Sequence, residues 1–103
     1  MYKLIATYKI PEDAEAFNKH YEEVHTPLVK KVPGVKEIRM NRVFAAPMGK
    51  PTLHLVAEVV FSDKETFNNA MKSPENMACG KDVMGFAGSL VSVHFAQEEV
   101  ITP

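Results

Sequence analysis

Residues 20–25 read HYEEVH and contain the side chains of this chain that are best suited to acid–base chemistry. A histidine with an ordinary pKa of about 6.5 can take up or release a proton near neutral pH. In an apolar pocket, a neutral His25 could remove a proton next to a carbonyl and return it elsewhere, as an isomerase or a dehydratase does. The hydroxyls of Tyr21 and Tyr8 could stabilise the developing oxyanion, although each tyrosine is equally well explained as part of the core.

A zinc site is the alternative use of two histidines on one helix. Zinc ligands on a helix stand at i and i+4, one turn apart on the same face. His20 and His25 stand at i and i+5, which is about 500° around an α-helix, so their side chains diverge by roughly 140°. The spacing therefore predicts that one histidine points inwards while the other faces water, and we expect no metal.

The segment around the two histidines has the pattern of an amphipathic helix, which Asp13 can cap. The apolar residues that recur at the spacing of one helix face are Phe17, Tyr21, Val24 and Leu28. Pro27 lacks a backbone N–H, so we predict a kink near the last turns, or an end followed by a short new helix. The local opening leaves room for a ligand beside Pro27 and Leu28, and it favours His25 over His20.

Three other residues are candidates for a pocket or for chemistry. His54 near the start of a strand is predicted to lie at a pocket mouth, although a position in solvent or at an interface is more usual. Phe86 lies among methionines that adapt to irregular ligands, although such methionines are more often part of a core. Cys79 has no clear base beside it. Since the sequence contains neither a phosphate-binding glycine loop nor a dinucleotide fingerprint, we expect no cofactor.

The order of strands and helices indicates the fold. The predicted strands are residues 2–9, 35–44, 53–61 and 90–96. The first helical segment ends at Pro33-Gly34, and a capping box of Ser62 and Glu65 opens the second. Ser73-Pro74 begins a further helix, after which three glycines loosen the chain. This order, βαββαβ, predicts a ferredoxin-like α+β sandwich with a four-stranded antiparallel sheet and helices on one face.

The third strand predicts that the chain pairs with a second copy of itself. One face of this strand carries Leu53, Leu55, Ala57, Val59 and Phe61, and the other carries His54, Val56, Glu58 and Val60. Neither face is fully polar, so both are expected to be at least partly buried, whereas one layer of helices covers only one face. We therefore expect a homodimer that joins sheet to sheet. Glu58 is expected to form a structural ion pair with Arg39 or Arg42.

Length and composition indicate one globular domain over residues 1–103, with 46% hydrophobic and 24% charged residues. The net charge is −1 with both signs mixed along the chain, which argues against nucleic acid as a partner. No stretch reaches the ~18–20 apolar residues of a membrane span, and the first residues, MYKLIATYKIPED, lack the features of a signal peptide. The single cysteine forms no internal disulfide, so we expect a cytoplasmic protein without membrane contact.

Four stretches of the chain, taken in order, resemble the EthD family. They are HYEEVHTPLVKKVPGV (20–35), PTLHLVAEVVFSD (51–63), SPEN (73–76) and GFAGSLVSV (85–93). They stand where the family has its first helix, its third strand, the following helix and its last strand. The resemblance covers about residues 2–97, and the segment from His20 to Gly34 is its most specific part.

The resemblance implies a dimeric α+β barrel in which two ferredoxin-like sheets close on each other, with a small-molecule pocket between each sheet and its helices. It also implies proton transfer by His25, the helical histidine before the Pro-Gly stop. The family's namesake is tied to a cytochrome P450 pathway that degrades alkyl ethers. Relatives include dehydratases of polyketide pathways and, more distantly, muconolactone isomerases. Because one fold supports many reactions, the resemblance leaves the reaction open.

Three functions are consistent with these observations. The first is binding of a small, largely apolar carbonyl or phenolic compound in catabolic or secondary metabolism, with acid–base chemistry by His25 and help from Tyr21. The residues expected around this compound are Tyr8, Pro27, Leu28, His54 and Phe86. The second is a non-catalytic accessory protein that holds a compound for a partner oxygenase, such as a cytochrome P450 system in xenobiotic degradation. The third is a cofactorless monooxygenase, an oxidoreductase whose substrate itself reduces oxygen.

Overall fold

The computed structural model describes all 103 residues. The four strands are β1 (Tyr2–Lys9), β2 (Glu37–Arg42), β3 (Leu53–Phe61) and β4 (Val91–Gln97). The helices are α1 (Ala14–His20), α2 (Thr26–Val29), α3 (Lys64–Met71) and α4 (Pro74–Ala87). A π-helical turn, Tyr21–His25, joins α1 to α2. The strands lie close to their predicted positions because alternating β-branched and aromatic residues favour extended chain.

The strands form one antiparallel sheet in the order β2-β3-β1-β4. The helices pack on one face of this sheet through aromatic contacts. Phe17 of α1 meets Tyr8 of β1 with ring centroids 5.3 Å apart, and Phe67 of α3 meets Phe61 of β3 at 5.5 Å. The predicted ferredoxin-like α+β fold is therefore confirmed.

Side-chain caps fix where the helices begin. Asp13 caps α1 through a 3.0 Å hydrogen bond from a backbone N–H three residues later, as predicted. The cap of α3 is Asp63 and not the predicted Ser62, because the Asp63 carboxylate accepts the equivalent bond at 2.8 Å. Ser73 caps α4 with Pro74 at the first helical position, as predicted.

Helix α4 is longer and more regular than the sequence indicated. Gly80 and Gly85 lie inside it, and the helix continues to Ala87. Each glycine weakens a helix by roughly 1 kcal/mol. Burial of Cys79 and Ala87 against the rest of the core offsets this cost, because tertiary packing supplies most helical stability. No helix of the fold combines the length and the apolar content that crossing a bilayer requires.

The helical segment of the two histidines contains an extra residue just before Pro27. The backbone N–H of Thr26 donates to the carbonyl of Tyr21, five residues earlier, which defines a π-turn. Pro27 has no N–H, so the α-helical hydrogen-bond ladder is interrupted one residue later in any case. The predicted break near Pro27 therefore takes the form of a π-turn followed by the short helix α2.

The π-turn moves the buried face of this segment by one residue. Tyr21 is buried as predicted, but the next inward residues are His25 and Val29. Val24, which the α-helical pattern places in the core, is 42% exposed, and Leu28 is only partly buried. The predicted stripe is wrong beyond Tyr21, because the extra residue rotates everything that follows it.

The core between sheet and helices consists of two groups of buried side chains. The first group is Ala6, Tyr8, Phe17, Tyr21, Leu55, Ala57 and Ala87. The second group is Val29, Val32, Phe61, Phe67, Ala70 and Cys79. The π-turn and helix α4 connect the two groups, and an open space remains between them.

The sheet face that the helices leave uncovered carries a network of charges. The Lys3 ammonium lies 2.6 Å from the Glu58 carboxylate and 2.8 Å from that of Glu98. The hydrogen bond from Lys3 holds the pKa of Glu58 below its ordinary value. The predicted ion pair of Glu58 with Arg39 or Arg42 is wrong. Arg39 stands opposite Glu58 on β2, but its guanidinium bonds Glu37 at 2.8 Å and Glu98 at 3.1 Å, while Lys3, diagonally opposite on β1, bonds Glu58.

Candidate functional site

A cavity of about 290 Å³ lies between the sheet and the helices, in the space that the two core groups leave open. Hydrophobic residues make up 17 of the 21 that line it. The sheet contributes alternate residues, including Ala6, Ala57 and Val93, and α4 contributes Cys79 and Val83. Small-molecule sites are typically such concave, mostly apolar spaces with a few polar groups.

The cavity opens to solvent between β4 and α4. Met84 of α4 and Val93 and Phe95 of β4 line it, and these side chains are 66%, 48% and 63% exposed. Strand β4 lies at the edge of the sheet, so no further strand covers this opening. An apolar molecule would therefore enter past apolar side chains.

His25 lies at the inner wall of the cavity and is only 4% exposed. Its Nδ1 atom stands 3.0 Å from Oδ2 of Asp82 on α4. Burial lowers the pKa of His25, and the neighbouring Asp82 carboxylate opposes this change in part. His25 is therefore favoured as a neutral imidazole near neutral pH, which is the form that accepts a proton.

His20 does not diverge from His25 as the α-helical spacing predicted. Its Nε2 atom lies 2.9 Å from Oδ1 of Asp82, so both histidines meet the same carboxylate. The π-turn between them explains the difference, because residues five apart lie nearly above one another where hydrogen bonds run from i to i+5. The predicted divergence is therefore wrong, although His25 is buried and His20 remains partly exposed, as the inward and outward prediction required.

Phe86 of α4 covers the two histidines. Its ring centroid lies 4.2 Å from that of His20 and 5.7 Å from that of His25. Phe86 is absent from the cavity wall and forms part of a surface groove with His20 and Asp82. Its packing restricts the rotation of both imidazoles.

Two tyrosines stand next to His25 at the same end of the cavity. Tyr21 has its ring centroid 4.9 Å from that of His25, and Tyr8 meets Tyr21 edge to face at 5.6 Å. This arrangement leaves the fully buried Tyr8 hydroxyl without a well-directed hydrogen bond. Burial raises the pKa of both tyrosines, so both keep their protons. The Tyr8 hydroxyl is thus a buried, protonated group that lies close to the hydroxyl of Tyr21.

The structure brings together only part of the predicted site. Tyr8, Tyr21 and His25 line the cavity, whereas Pro27, Leu28, His54 and Phe86 do not. Leu28 borders a shallow groove beside α4, and Pro27 is exposed. The expected ligand contacts of these last four residues stay predictions.

His54 turns towards α1 instead of standing at the cavity mouth. A register shift between Tyr8 and Lys9 lies opposite it on β1, and it allows His54 to reach the helix side of the sheet. Its Nε2 atom is 2.8 Å from the Asn18 side-chain oxygen, and its ring packs on Phe17 at 5.3 Å. Regular strand alternation predicted the opposite face.

Asp82 is the functional candidate that the sequence did not reveal. It stands in the region where the glycines indicated loose chain, so no helical pattern was applied to it. A regular helix from Pro74 would have placed Cys79, Asp82 and Phe86 at spacings of three and four, on one face towards the histidines. Burial raises the pKa of the Cys79 thiol in the cavity wall, which keeps it protonated and weakly nucleophilic.

The chemistry available at this site is that of proton transfer. No group of three or more His, Cys, Asp or Glu side chains is arranged to hold a metal ion. The polar residues in the cavity wall are His25, Thr26 and Asn76, with the hydroxyl-bearing Tyr8 and Tyr21 beside them, and His25 is the base among them. A base beside hydroxyl donors can act on a molecule that bears a carbonyl or phenolic oxygen.

Two known proteins match all or nearly all of the chain. An EthD family protein from Bacillus halodurans is 40% identical, with a TM-score of 0.92, over 96% of this chain and 99% of that one. An uncharacterized 11.0 kDa protein of the thcB-thcC intergenic region of Rhodococcus erythropolis is 32% identical over 100% of both chains.

Two more distant structures share the fold. A dimeric ferredoxin-like protein of unknown function from Jannaschia is 14% identical, with a TM-score of 0.64, over 95% of this chain and 100% of that one. SnoaB from Streptomyces nogalater, a cofactor-independent oxygenase, is 13% identical, with a TM-score of 0.65, over 99% and 94%. The model of the EthD domain matches residues 9–89. With this match and the Bacillus and Rhodococcus relatives, the chain belongs to the EthD family.

Proposed function

We propose that this protein binds a small, largely apolar molecule with a carbonyl or phenolic oxygen, and that His25 performs acid–base chemistry on it. The observation that carries the proposal is an apolar cavity that ends on the buried imidazole of His25, with the buried Tyr21 and Tyr8 beside it. Transfer of an apolar ligand from water into this cavity is favourable. The ligand oxygen can accept a hydrogen bond from a tyrosine hydroxyl that has no well-directed partner in the free protein.

His25 is suited to move a proton next to that oxygen. Its neutral imidazole can accept a proton from the carbon beside a carbonyl, and the Asp82 carboxylate stabilises the imidazolium that results. The hydroxyls of Tyr8 and Tyr21 can donate to the enolate oxygen as its charge develops. Return of the proton to another carbon completes an isomerisation, and its transfer to a departing hydroxyl completes a dehydration with release of water.

The binding half of the proposal is tested with two ligands that differ by one oxygen. We expect 2-naphthol to bind and to shift the NMR signals of cavity residues such as Val83 and Val93, and naphthalene to bind more weakly. Tyr8→Phe should remove this preference, because the hydroxyl that distinguishes the two ligands is gone. Tyr2→Phe, on the same strand but outside the cavity, is the matched control. Absence of binding by both ligands contradicts the proposal.

The catalytic half is tested with 1-tetralone in D₂O. A protein base next to the carbonyl should accelerate deuterium exchange at the adjacent carbon over the buffer rate, and His25→Gln should abolish the acceleration while binding persists. His94→Gln, on exposed β4, is the control. If tetralone occupies the cavity but exchanges only at the buffer rate, His25 is not a catalytic base and the protein is a binder.

Binding without chemistry is the second candidate, in which the protein holds its ligand for a partner oxygenase. Cofactor-independent oxygenation is the third, because SnoaB, an oxygenase of that kind, has the same fold. Oxygen uptake with 1,4-dihydroxynaphthalene, a compound that can itself reduce oxygen, separates these two. Uptake above the buffer rate supports the oxygenase, whereas bound ligand without uptake or exchange supports the accessory binder.

We also propose that the protein is a homodimer. In a single chain, Phe44 and Met48 of the loop before β3 are 96% and 88% exposed, and the uncovered sheet face carries Ile5 and Val56. The Jannaschia protein of the same fold is dimeric. Val56→Asp should convert the dimer to monomer in sedimentation, whereas Asn69→Asp on exposed α3 should leave it unchanged. A wild-type protein that sediments as a monomer refutes the dimer.

A further inference from the structure

One carboxylate on α4 holds both histidines of the helical segment. Oδ1 of Asp82 lies 2.9 Å from Nε2 of His20, and Oδ2 lies 3.0 Å from Nδ1 of His25. An ionised carboxylate can only accept hydrogen bonds, so the nitrogen that faces it in each ring must carry the hydrogen. The geometry therefore selects a different nitrogen as donor in each of the two rings.

The two imidazoles face different surroundings. His25 lines the interior cavity, whereas His20 and Asp82 line a surface groove on the other side of the carboxylate. Phe86 packs on both rings and closes the space between them. Tyr8, Tyr21 and Cys79 also lie near His25 and keep their protons, so Asp82 and His20 are the groups nearby that change its electrostatics.

We propose that Asp82 is the positioning residue of the site, which holds His25 as the Nδ1–H tautomer and thereby leaves the lone pair of Nε2 for the cavity. Histidine in water favours the opposite, Nε2–H tautomer, which would present a donor to the ligand instead of a base. The tautomer of a histidine is set by the hydrogen bond of its other nitrogen. The catalytic meaning of this arrangement rests on the proposed function, whereas the tautomer does not.

His20 shares the carboxylate and limits the charge of His25. A positive charge on His20 disfavours a second positive charge on His25, and His20 forms a hydrogen bond to the same Asp82 carboxylate. His25 therefore stays neutral, and remains a base, at a lower pH than Asp82 alone would permit.

The tautomer is tested by long-range ¹⁵N–¹H NMR of the four imidazoles in the ligand-free protein. We expect wild-type His25 to show a protonated Nδ1 and an unprotonated Nε2, and Asp82→Ala to move it towards Nε2–H. Glu75→Ala, which removes an exposed carboxylate from the same helix, should leave the tautomer unchanged. A wild-type His25 with its proton on Nε2 overturns the proposal even if Asp82→Ala fails to fold.

The role of His20 is tested by the pH titration of the same signals. His20→Gln should raise the pKa of His25, because a like charge is lost and Asp82 bonds one ring only. His94→Gln, which removes an exposed imidazole from β4, should leave it unchanged. An unchanged or lowered pKa in His20→Gln contradicts the coupling. Because neither measurement uses a ligand or turnover, their failure is distinct from failure of the proposed function.

Discussion

The unpartnered hydroxyl of Tyr8 predicts a variant that gains stability and loses binding. Tyr8 is 0% exposed, and its hydroxyl makes no well-directed hydrogen bond, although the Tyr21 hydroxyl lies close to it. A buried donor without a partner costs roughly 1–3 kcal/mol, so Tyr8→Phe should raise the free energy of unfolding by about 1 kcal/mol or more. An ordinary buried tyrosine would show the opposite sign, since its replacement removes a satisfied hydrogen bond.

The expected size of the thermal shift follows from the length of the chain. Globular proteins unfold with an entropy of about 2.1 cal/mol/K per residue, which for 103 residues gives about 0.2 kcal/mol/K. A gain of about 1 kcal/mol therefore raises Tm by about 5 °C. The same substitution should weaken 2-naphthol binding by about 1 kcal/mol, or about fivefold, the net value of a neutral hydrogen bond.

The assay is thermal and urea unfolding of wild type, Tyr8→Phe and Tyr2→Phe at one protein concentration, because a dimer has a concentration-dependent Tm. Tyr2 is only half-buried, so Tyr2→Phe should change Tm little. A Tyr8→Phe protein that melts below wild type would show that the hydroxyl is bonded in the free protein, and the reasoning about the cavity would be refuted.

Three further predictions test the site and the backbone elements around it. Gly80→Ala and Gly85→Ala should each stabilise α4 by roughly 0.5–1 kcal/mol, measured by urea unfolding. Only Gly80→Ala should weaken 2-naphthol binding, because of the two glycines only Gly80 lines the cavity. Equal binding of 2-naphthol by both variants would contradict this. Gly34→Ala should destabilise the protein by more than about 2 kcal/mol, since φ is +82° and the new Cβ overlaps the α3 threonine methyl. Gly49→Ala has a φ of +71° but open space, so it should cost only about 1–2 kcal/mol, and an equal loss in both variants refutes the steric part. The pKa of His25 is lowered in the folded protein, so the unfolded chain takes up this proton first as pH falls. The free energy of unfolding of wild type minus that of His25→Gln should therefore be constant above about pH 6.5. Below that pH it should decrease by up to about 1.4 kcal/mol per pH unit, until the pH is below the pKa of His25 in the folded protein. The same pH dependence in both proteins would contradict the lowered pKa.

The sequence by itself determined the order of the elements and therefore the fold. Alternating apolar residues place the strands, and Asp13 and Ser73 cap helices through short-range hydrogen bonds that depend only on neighbouring residues. His25 and Tyr21 could be named as candidates because their chemistry belongs to the side chain and needs no partner to be recognised. The resemblance to the EthD family followed from the same local segments.

Only the tertiary structure decided how the site is assembled. The π-turn before Pro27 rotates His25 and Val29 inwards in place of Val24 and Leu28, and no α-helical period contains that extra residue. The position of Asp82 depends on contacts between α4 and a segment some sixty residues earlier, 62 to His20 and 57 to His25. The cavity and the unpartnered Tyr8 hydroxyl are properties of the space between packed elements, and such a space has no pattern along the chain.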